Sequence, residues 1–329
     1  MSTPTAHMPF HAGERRMHAL TGVAEQILPR GQAMIRAFMP DQHRDFFAQL
    51  PFVLVGGLDD TLQPWATVWT GEPGFMQSPE ATVLRAHPEV LPGDPLGDPF
   101  GDQQQGGWRH GSPIGLLGIQ PHTRRRNRMN GLLRMPADGG KRFDVEVRQS
   151  FGNCPKYIQP RLITHEVREV NDAAKPASSV QVLGPAASPE AMALITRSDT
   201  LFIASASADA SRESLPTPAS GVDVSHRGGE PGFVHTRVAE DGGLALTLPD
   251  YTGNFMFNTL GNILQNPRVG LLFMDFEQGD VLWLACLAQV DMDSPAIAEH
   301  AGAQRLVRLR VQQGRWAPAC LPLRSHDQP

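Results

Sequence analysis

The chain has 329 residues, 40% of them hydrophobic, so it can bury one large core or two of ordinary domain size. Its formal net charge of -5 argues against a protein that coats nucleic acid or an anionic membrane. Three widely separated cysteines support neither a disulfide framework nor a zinc cage. No apolar run approaches a membrane span and no hydrophobic signal core begins the chain, so we expect a soluble, cytoplasmic protein.

The first predicted elements are helices. A helical region is expected over residues 13–38, interrupted near Pro29. A short helix follows, with Asp41 as its cap and with Phe46 and Phe47 on one side. These aromatic residues predict that the short helix packs against a core.

Short β-rich runs, separated by loops rich in proline and glycine, make up most of the remaining chain. Short strands punctuated by turns are typical of a barrel. The predicted strands lie at residues 52–58, 65–70, 114–119, 200–205, 244–248, 269–276 and 281–290. One more helix is expected to begin with Ser188 as N-cap and Pro189 at the first helical position.

A weak internal repeat divides the chain. Gly-Leu-Leu occurs at 115–117 and again at 270–272, each time on a predicted strand that turns into another strand. The repeat predicts two similar barrels side by side. We therefore expect three regions: N-terminal helices with the first half (1–170), a linker (171–190) and the second half (191–329).

The segment FMFNTLGNILQNPRVGLLFMDF, residues 255–276, predicts an amphipathic helix that runs through Asn-Pro into a buried strand. The polar face of this helix carries small uncharged donors, namely Asn258, Thr259 and Asn262. The first turn of a helix presents unpaired N–H groups and a positive dipole end, which can hold an anion without a lysine. The alternative is an ordinary surface helix with capping residues.

The segment TRRRNRMNG, residues 123–131, predicts a strand whose period of two sends Arg124, Arg126, Arg128 and Asn130 to one face. Planar guanidinium groups suit both phosphate and carbonyl oxygens. The alternative is a solvated edge strand, whose charges block pairing with other sheets.

The segment SFGNCPKYIQ predicts a strand end that drops into a turn and aims Asn153, Lys156 and Tyr157 into a cleft. Such a cluster can bind an anionic substrate. Cys154 is expected to be a small packed residue rather than a nucleophile. No histidine pair has helical metal-ligand spacing, so no metal site is predicted, and no general acid or base can be named.

Residues 221–276 resemble the pyridoxamine 5'-phosphate oxidase-related FMN-binding split-barrel family. The most specific match is NPRVGLLF at residues 266–273. The resemblance extends over nearly the whole chain to a bacterial subgroup of that family with an extra N-terminal half. The further landmarks of this subgroup are FHAGE, FMPDQHRDFFAQLPF, TRRRNRMNG, SFGNCPKYIQ and LPLR.

The resemblance implies a mainly β (α+β) fold of two tandem split β-barrels with flanking helices. It also implies one FMN in the cleft between the two halves, beside one strand and one helix start of the second half. The cofactor-binding residues expected there are Asp223, Val224, Ser225, His226, Arg227, Asn258, Thr259 and Asn262. From the first half we expect Arg126, Arg128 and Asn130 to reach the same flavin.

The function expected from this resemblance is that of an FMN-binding oxidoreductase acting on a small molecule, with oxygen or NAD(P)H as redox partner. A separate electron donor and a homodimer are the expected partners. One alternative is a flavin- or haem-handling protein of the same fold with little catalysis. Another is a binding module for nucleic acid that uses the basic residues 124–128.

Overall fold

The structure, a computed structural model, describes residues 8–98, 108–136, 140–166, 180–211 and 217–326. Its α-helices are α1 (Ala12–Leu20), α2 (Ala24–Met34), α3 (Asp41–Ala48), α4 (Pro189–Arg197) and α5 (Asn258–Ile263). The strands of the first half are β1 (Phe52–Leu58), β2 (Pro64–Thr70), β3 (Met76–Glu80), β4 (Val83–Ala86), β5 (Glu89–Val90), β6 (Pro113–Gln120), β7 (Arg125–Arg134), β8 (Phe143–Gly152) and β9 (Leu162–His165). Those of the second half are β10 (Gln181–Leu183), β11 (Thr200–Ala206), β12 (Val222–Gly228), β13 (His235–Val238), β14 (Leu244–Tyr251), β15 (Arg268–Met274), β16 (Val281–Asp291), β17 (Ala303–Ala317) and β18 (Leu323–His326).

Two antiparallel sheets with the same topology form the molecule. The first has the order β3-β4-β8-β7-β6-β1-β2-β5, and the second has the order β13-β14-β17-β16-β15-β11-β12. Strand for strand the two orders coincide, apart from β5 at one edge. Of the described residues, 43% lie in strands and 18% in helices, and both sheets are curled. The predicted mainly β fold of two similar halves is therefore confirmed.

The two halves pack backbone against backbone at two equivalent glycines. A Cβ atom on Gly115 of β6 would lie 2.5 Å from the Val222 carbonyl oxygen of β12. A Cβ atom on Gly270 of β15 would lie 2.4 Å from the Pro64 carbonyl oxygen of β2. Only glycine permits such an approach. Because each contact joins the same strands in reversed roles, the halves are related by an approximate internal two-fold axis.

One hydrophobic core runs through both halves. It includes Phe52 and Trp69 from the first sheet and Phe202, Leu272 and Trp283 from the second. The C-terminal strand β18 returns to pair with β9 of the first half. Of the segment predicted as a linker, residues 171–179 lie outside the described residues, whereas β10 pairs with β17.

The helices differ from the prediction in two respects. The break in the N-terminal helical region falls at Gly22, whose φ of 71° ends α1, and not at Pro29, which lies inside α2. Asp41 is the first residue of α3 rather than its cap, which is Pro40. Ser188 caps α4 as predicted. In the part of the chain that the structure describes, no helix has the length and apolar character to cross a membrane.

Candidate functional site

A cleft between the two halves brings together ten of the fourteen residues predicted to bind cofactor or substrate. They are Arg126, Arg128, Asn153, Lys156 and Tyr157 of the first half with Ser225, His226, Arg227, Asn258 and Thr259 of the second. The other four, Asn130, Asp223, Val224 and Asn262, are not among the residues that line the cleft. Asn130 and Asn262 instead donate to the two oxygens of the Asp223 carboxylate, at 2.6 Å and 3.3 Å.

Strand β7 supplies the arginines of the first half. It lies between β6 and β8, so the alternative of a solvated edge strand is wrong. Alternate residues of a strand point to one face, which directs Arg126 and Arg128 together toward the second half. Arg124 was predicted to share that face, but it precedes the strand and is exposed, with a left-handed φ of 54°.

Arg128 is the most constrained cationic residue of the cleft. Its side chain is 3% exposed, and it donates to Asn258 Oδ1, to Ser225 Oγ and, at 3.0 Å, to the Val224 carbonyl oxygen. Asp223 lies 3.3 Å from Arg128 Nη1. Burial lowers the pKa of Arg128, and Asp223 opposes that shift. Strand β12 and helix α5 thus fix the guanidinium group of Arg128.

Arg126 has a different environment. Its Nη1 donates to His226 Nδ1 at 3.0 Å, and no carboxylate among the described residues pairs with it. Burial, then Arg227 and Arg128, lower the pKa of Arg126 to about 10. Burial and neighbouring arginines also hold the pKa of His226 well below its usual value. His226 is therefore neutral at pH 7 and accepts a hydrogen bond from a charged Arg126.

Positive charge exceeds negative charge on the cleft walls. Arg305 Nε lies 2.9 Å from the Asp250 carboxylate, and Arg227 Nη2 lies 3.9 Å from it. Burial raises the pKa of Asp250 against the influence of both arginines. One carboxylate thus serves two guanidinium groups, while Arg126 has none among the described residues. These walls favour an anionic ligand.

Helix α5 is six residues long, and every one of them is buried. The alternative of an ordinary surface helix is therefore wrong: α1 packs over its polar face. Asn258 Nδ2 donates to Glu14 Oε1 at 2.5 Å, and Asn262 Nδ2 donates to Ser205 Oγ at 3.0 Å. The N-cap residue, Phe257, is left-handed and makes no side-chain cap. Asn258 and Asn262 thus bind protein partners that sequence reasoning did not foresee, whereas Thr259 Oγ1 has no hydrogen-bond partner among the described residues.

The mouth of the cleft is lined by a loop that sequence reasoning also missed. Tyr251 of β14 stacks on Tyr157, with ring centroids 5.3 Å apart, and joins the two halves. In the same loop, Asn254 Nδ2 donates to Asn153 Oδ1 at 3.4 Å. The signal available was YTGNF, a turn sequence placed directly before the predicted helix start. Among the described residues, no group of three or more metal-ligating side chains is present.

The internal symmetry defines a counterpart of this cleft. Leu117 pairs with Arg128 across β6 and β7, and the equivalent Leu272 pairs with Trp283 across β15 and β16. Trp283 therefore occupies the position of Arg128. It is fully buried, and its indole N–H donates to Thr67 Oγ1 at 3.4 Å.

The same register assigns the other basic positions of the cleft. Their counterparts are all apolar and fully buried. In the order Arg126, His226 and Arg227, the equivalent residues are Val281, Val68 and Trp69. Of the two symmetry-related sites, only the cleft between the halves therefore carries basic residues at these positions.

Neither a family model nor a curated protein matches the sequence. Several solved structures do match. A Lactobacillus delbrueckii protein provisionally assigned as a pyridoxamine 5'-phosphate oxidase is 16% identical, with 40% of this chain and 93% of that chain covered and a TM-score of 0.29. An FAD-binding protein from Mesorhizobium loti is 13% identical, with 42% and 99% covered and a TM-score of 0.28.

The haem storage protein HutZ from Vibrio cholerae is 16% identical, with 41% of this chain and 97% of that chain covered and a TM-score of 0.26. A Clostridium acetobutylicum protein of the pyridoxinephosphate oxidase family also matches, at 11% identity, with 42% and 92% covered and a TM-score of 0.25. The chain is similar to proteins of the pyridoxamine 5'-phosphate oxidase family. This is the family that its sequence motifs resemble.

Proposed function

We propose that the cleft binds FMN and that the protein is an oxidoreductase acting on a small molecule. The supporting observation is a set of buried donors: Arg126 Nε, Arg128 Nε and Asn153 Nδ2 have no hydrogen-bond partner among the described residues. These atoms can only donate, so a ligand that satisfies them must carry acceptor oxygens. The phosphate, the ribityl chain and the ring carbonyls of FMN carry such oxygens.

The remaining walls fit a flat ring. Phe255, Phe257, Leu117 and Pro249 line the same cleft as the arginines. A flavin ring needs apolar and aromatic contacts on its faces and donors at its edge. The cleft therefore offers both kinds of contact that FMN requires, as well as a surplus of positive charge for its dianionic phosphate.

Each basic residue has a distinct proposed role. Arg126 pairs with no carboxylate among the described residues, and Arg227 shares Asp250 with Arg305. These two arginines would neutralise the phosphate. Arg128, already held by protein acceptors, would keep its position and donate to a ring carbonyl. When bound, FMN would supply the electron transfer. The chain would bind it, orient it and place donors where negative charge develops on the ring. A separate electron donor, oxygen or NAD(P)H would complete the redox cycle.

The test is a titration of the purified protein with FMN and, in parallel, with riboflavin, which lacks the phosphate. We expect FMN to bind, with quenching of flavin fluorescence, and riboflavin to bind at least about a hundredfold more weakly, because it forgoes charge-assisted hydrogen bonds to the arginines. Bleaching of bound FMN by NAD(P)H and its reoxidation in air would support oxidoreductase activity. A protein that binds neither flavin would refute the proposal.

A haem-handling protein is the second candidate, and His226 is the observation that favours it. This histidine lines the cleft, and its lowered pKa keeps the imidazole neutral, as an iron ligand must be. Because Nδ1 accepts from Arg126, the proton of the neutral ring lies on Nε2, so iron binding would require this hydrogen bond to break and leave one ring nitrogen free for the metal. Titration with haemin separates the two candidates: a Soret shift that disappears in His226→Ala would favour haem over FMN.

A further inference from the structure

Glu14 of α1 lies outside both sheets, yet its side chain reaches the wall of the cleft. The carboxyl group is 3% exposed. Its Oε2 accepts from the His11 backbone N–H at 2.9 Å, which closes a capping box, and its Oε1 accepts from Asn258 Nδ2 at 2.5 Å. A capping box usually makes contacts only within its own helix, but here the Glu14 side chain also binds α5 through Asn258.

Two glycines bring Glu14 to this position. A Cβ atom on Gly13 would lie 2.1 Å from the Gly261 carbonyl oxygen, and one on Gly261 would lie 2.6 Å from the Glu14 nitrogen. Helices α1 and α5 thus cross in backbone contact. Any side chain at the crossing would move the carboxyl group away from Asn258.

The donor and acceptor chemistry allows a single arrangement of the Asn258 amide. Arg128 can only donate, so the oxygen of the amide must face it, and the NH₂ group must then face Glu14. The second Glu14 oxygen faces another donor, the His11 N–H. Both oxygens of Glu14 therefore act as acceptors in this arrangement.

We infer that Glu14 is a positioning residue: through Asn258 it sets the orientation of the Arg128 guanidinium group in the wall of the proposed FMN site. This inference rests on the proposed function only for its effect on the ligand. Burial and Asp223 raise the pKa of Glu14 well above its usual value, while the His11 and Asn258 donors oppose that shift. The orientation of the Arg128 guanidinium group therefore depends on the hydrogen bonds that hold the Glu14 carboxyl group in place.

The test of this inference exchanges the hydrogen-bond donor and acceptor between residues 14 and 258. In Glu14→Gln one of the two acceptor oxygens becomes an NH₂ donor, so the new side chain cannot accept from both the His11 N–H and the Asn258 NH₂ group. Where its NH₂ group faces that of Asn258, the Asn258 amide turns over and presents a donor to Arg128. In the double variant Glu14→Gln with Asn258→Asp, the introduced glutamine would donate to the new carboxylate, which still accepts from Arg128. The polarity of every contact is then restored, with the same total charge. Glu25→Gln, in the neighbouring α2, is the matched control.

The primary readout is the Arg128 Nε–H resonance in protein labelled with ¹⁵N-arginine and assigned with Arg128→Lys. We expect this resonance to shift or broaden in Glu14→Gln and to return in the double variant, while Glu25→Gln leaves it unchanged. The FMN dissociation constant should rise about tenfold in Glu14→Gln. Circular dichroism establishes whether each variant is folded. If Glu14→Gln does not fold, recovery of both the fold and the Arg128 resonance in the double variant supports the inference, and failure to recover them contradicts it.

The outcomes separate this inference from the proposed function. If the wild-type protein does not bind FMN, the proposed function fails, but the resonance experiment still tests the relay from Glu14 to Arg128. If FMN binds and Glu14→Gln changes neither the resonance nor the dissociation constant, the relay is wrong. The inference would also be wrong if the Arg128 resonance is as strongly shifted or broadened in the double variant as in Glu14→Gln. The change in the resonance would then result from altered packing and not from the polarity of the donors.

Discussion

Arg126 carries the least compensated charge in the cleft. Among the described residues, its side chain donates only to the neutral ring of His226, and burial lowers the pKa of Arg126 to about 10. A buried cation without a counterion costs free energy that an anionic ligand can recover. Among single residues of the cleft, Arg126 should therefore contribute most to ligand affinity and least to the folded state without ligand.

We expect Arg126→Ala to weaken FMN binding by about 1.5–3 kcal/mol, because it removes charge-assisted hydrogen bonds. Its free energy of unfolding without ligand should change little, since an unfavourable buried charge is lost together with its packing. Fluorescence titration and urea denaturation measure the two effects. Arg124→Ala, at an exposed position two residues earlier, is the control and should leave FMN affinity unchanged. Equal effects of the two variants would remove Arg126 from the site.

Asp94 should make stability depend on pH. Its carboxyl group accepts from Thr67 Oγ1 at 2.5 Å and from the Leu96 N–H at 2.8 Å, and burial raises its pKa from 3.8 to about 7. Between these two values the folded chain keeps a proton that the unfolded chain has released. The free energy of unfolding should therefore fall as pH rises through this window, by roughly 4 kcal/mol in total.

Replacing Asp94 by Asn should remove most of this dependence, because the amide has no proton to lose. The variant should be more stable than wild type at about pH 8 and close to it at about pH 4. Thermal or urea denaturation at both values checks the sign. If both proteins lose the same stability between these two pH values, the titrating group lies elsewhere.

At the scale of elements, sequence periodicity predicted seven strands whose bounds lie within three residues of β1, β2, β6, β11, β14, β15 and β16, since alternating apolar residues bounded by turn residues are local signals. It did not predict β17, the longest strand among the described residues. The predicted strand at 52–58 matches β1 at both ends. The helices were predicted less well. Pro29 was expected to interrupt the N-terminal region, but Gly22 ends the first helix. A residue with left-handed φ ends a helix, whereas α2 continues through Pro29.

The candidate site was predicted in outline because three of its segments carry local patterns: the arginines of β7, the turn after β8 and the start of α5. What could not be predicted is which polar residues the protein satisfies by itself. Asn262 has the same local signal as Asn258 but binds Ser205 and Asp223, away from the cleft lining. Contacts between residues so distant in sequence leave no periodic trace in either segment.

The crossing of α1 and α5 gives a prediction at this scale. Gly13→Ala should destabilise the protein by about 1–3 kcal/mol, because the new methyl group would lie 2.1 Å from the Gly261 carbonyl oxygen and outweighs the gain in helix propensity. Gly184→Ala is the control, since a Cβ atom there meets nothing within 4 Å. Urea denaturation compares the two, and a neutral Gly13→Ala would show that the helices do not pack this closely.

At the scale of the whole molecule, the two halves share one topology but differ in the side chains at equivalent positions. The twin glycine contacts of Gly115 and Gly270 preserve the symmetry of the backbone. The side chains do not follow it, because Trp283 fills the position that corresponds to Arg128. Among the described residues, one half of the symmetry therefore holds a polar cleft, and the equivalent place holds a section of hydrophobic core.

This asymmetry fixes the expected stoichiometry at one FMN per chain. The counterpart position offers Val281, Val68 and Trp69 in place of basic residues, and all three are fully buried, so a phosphate there would find neither charge nor space. Isothermal titration calorimetry should give one site per chain. Arg126→Ala should weaken that site, with no second site revealed. A measured stoichiometry of two would mean that Trp283 and Trp69 move aside for a ligand, contrary to their packing in the shared core.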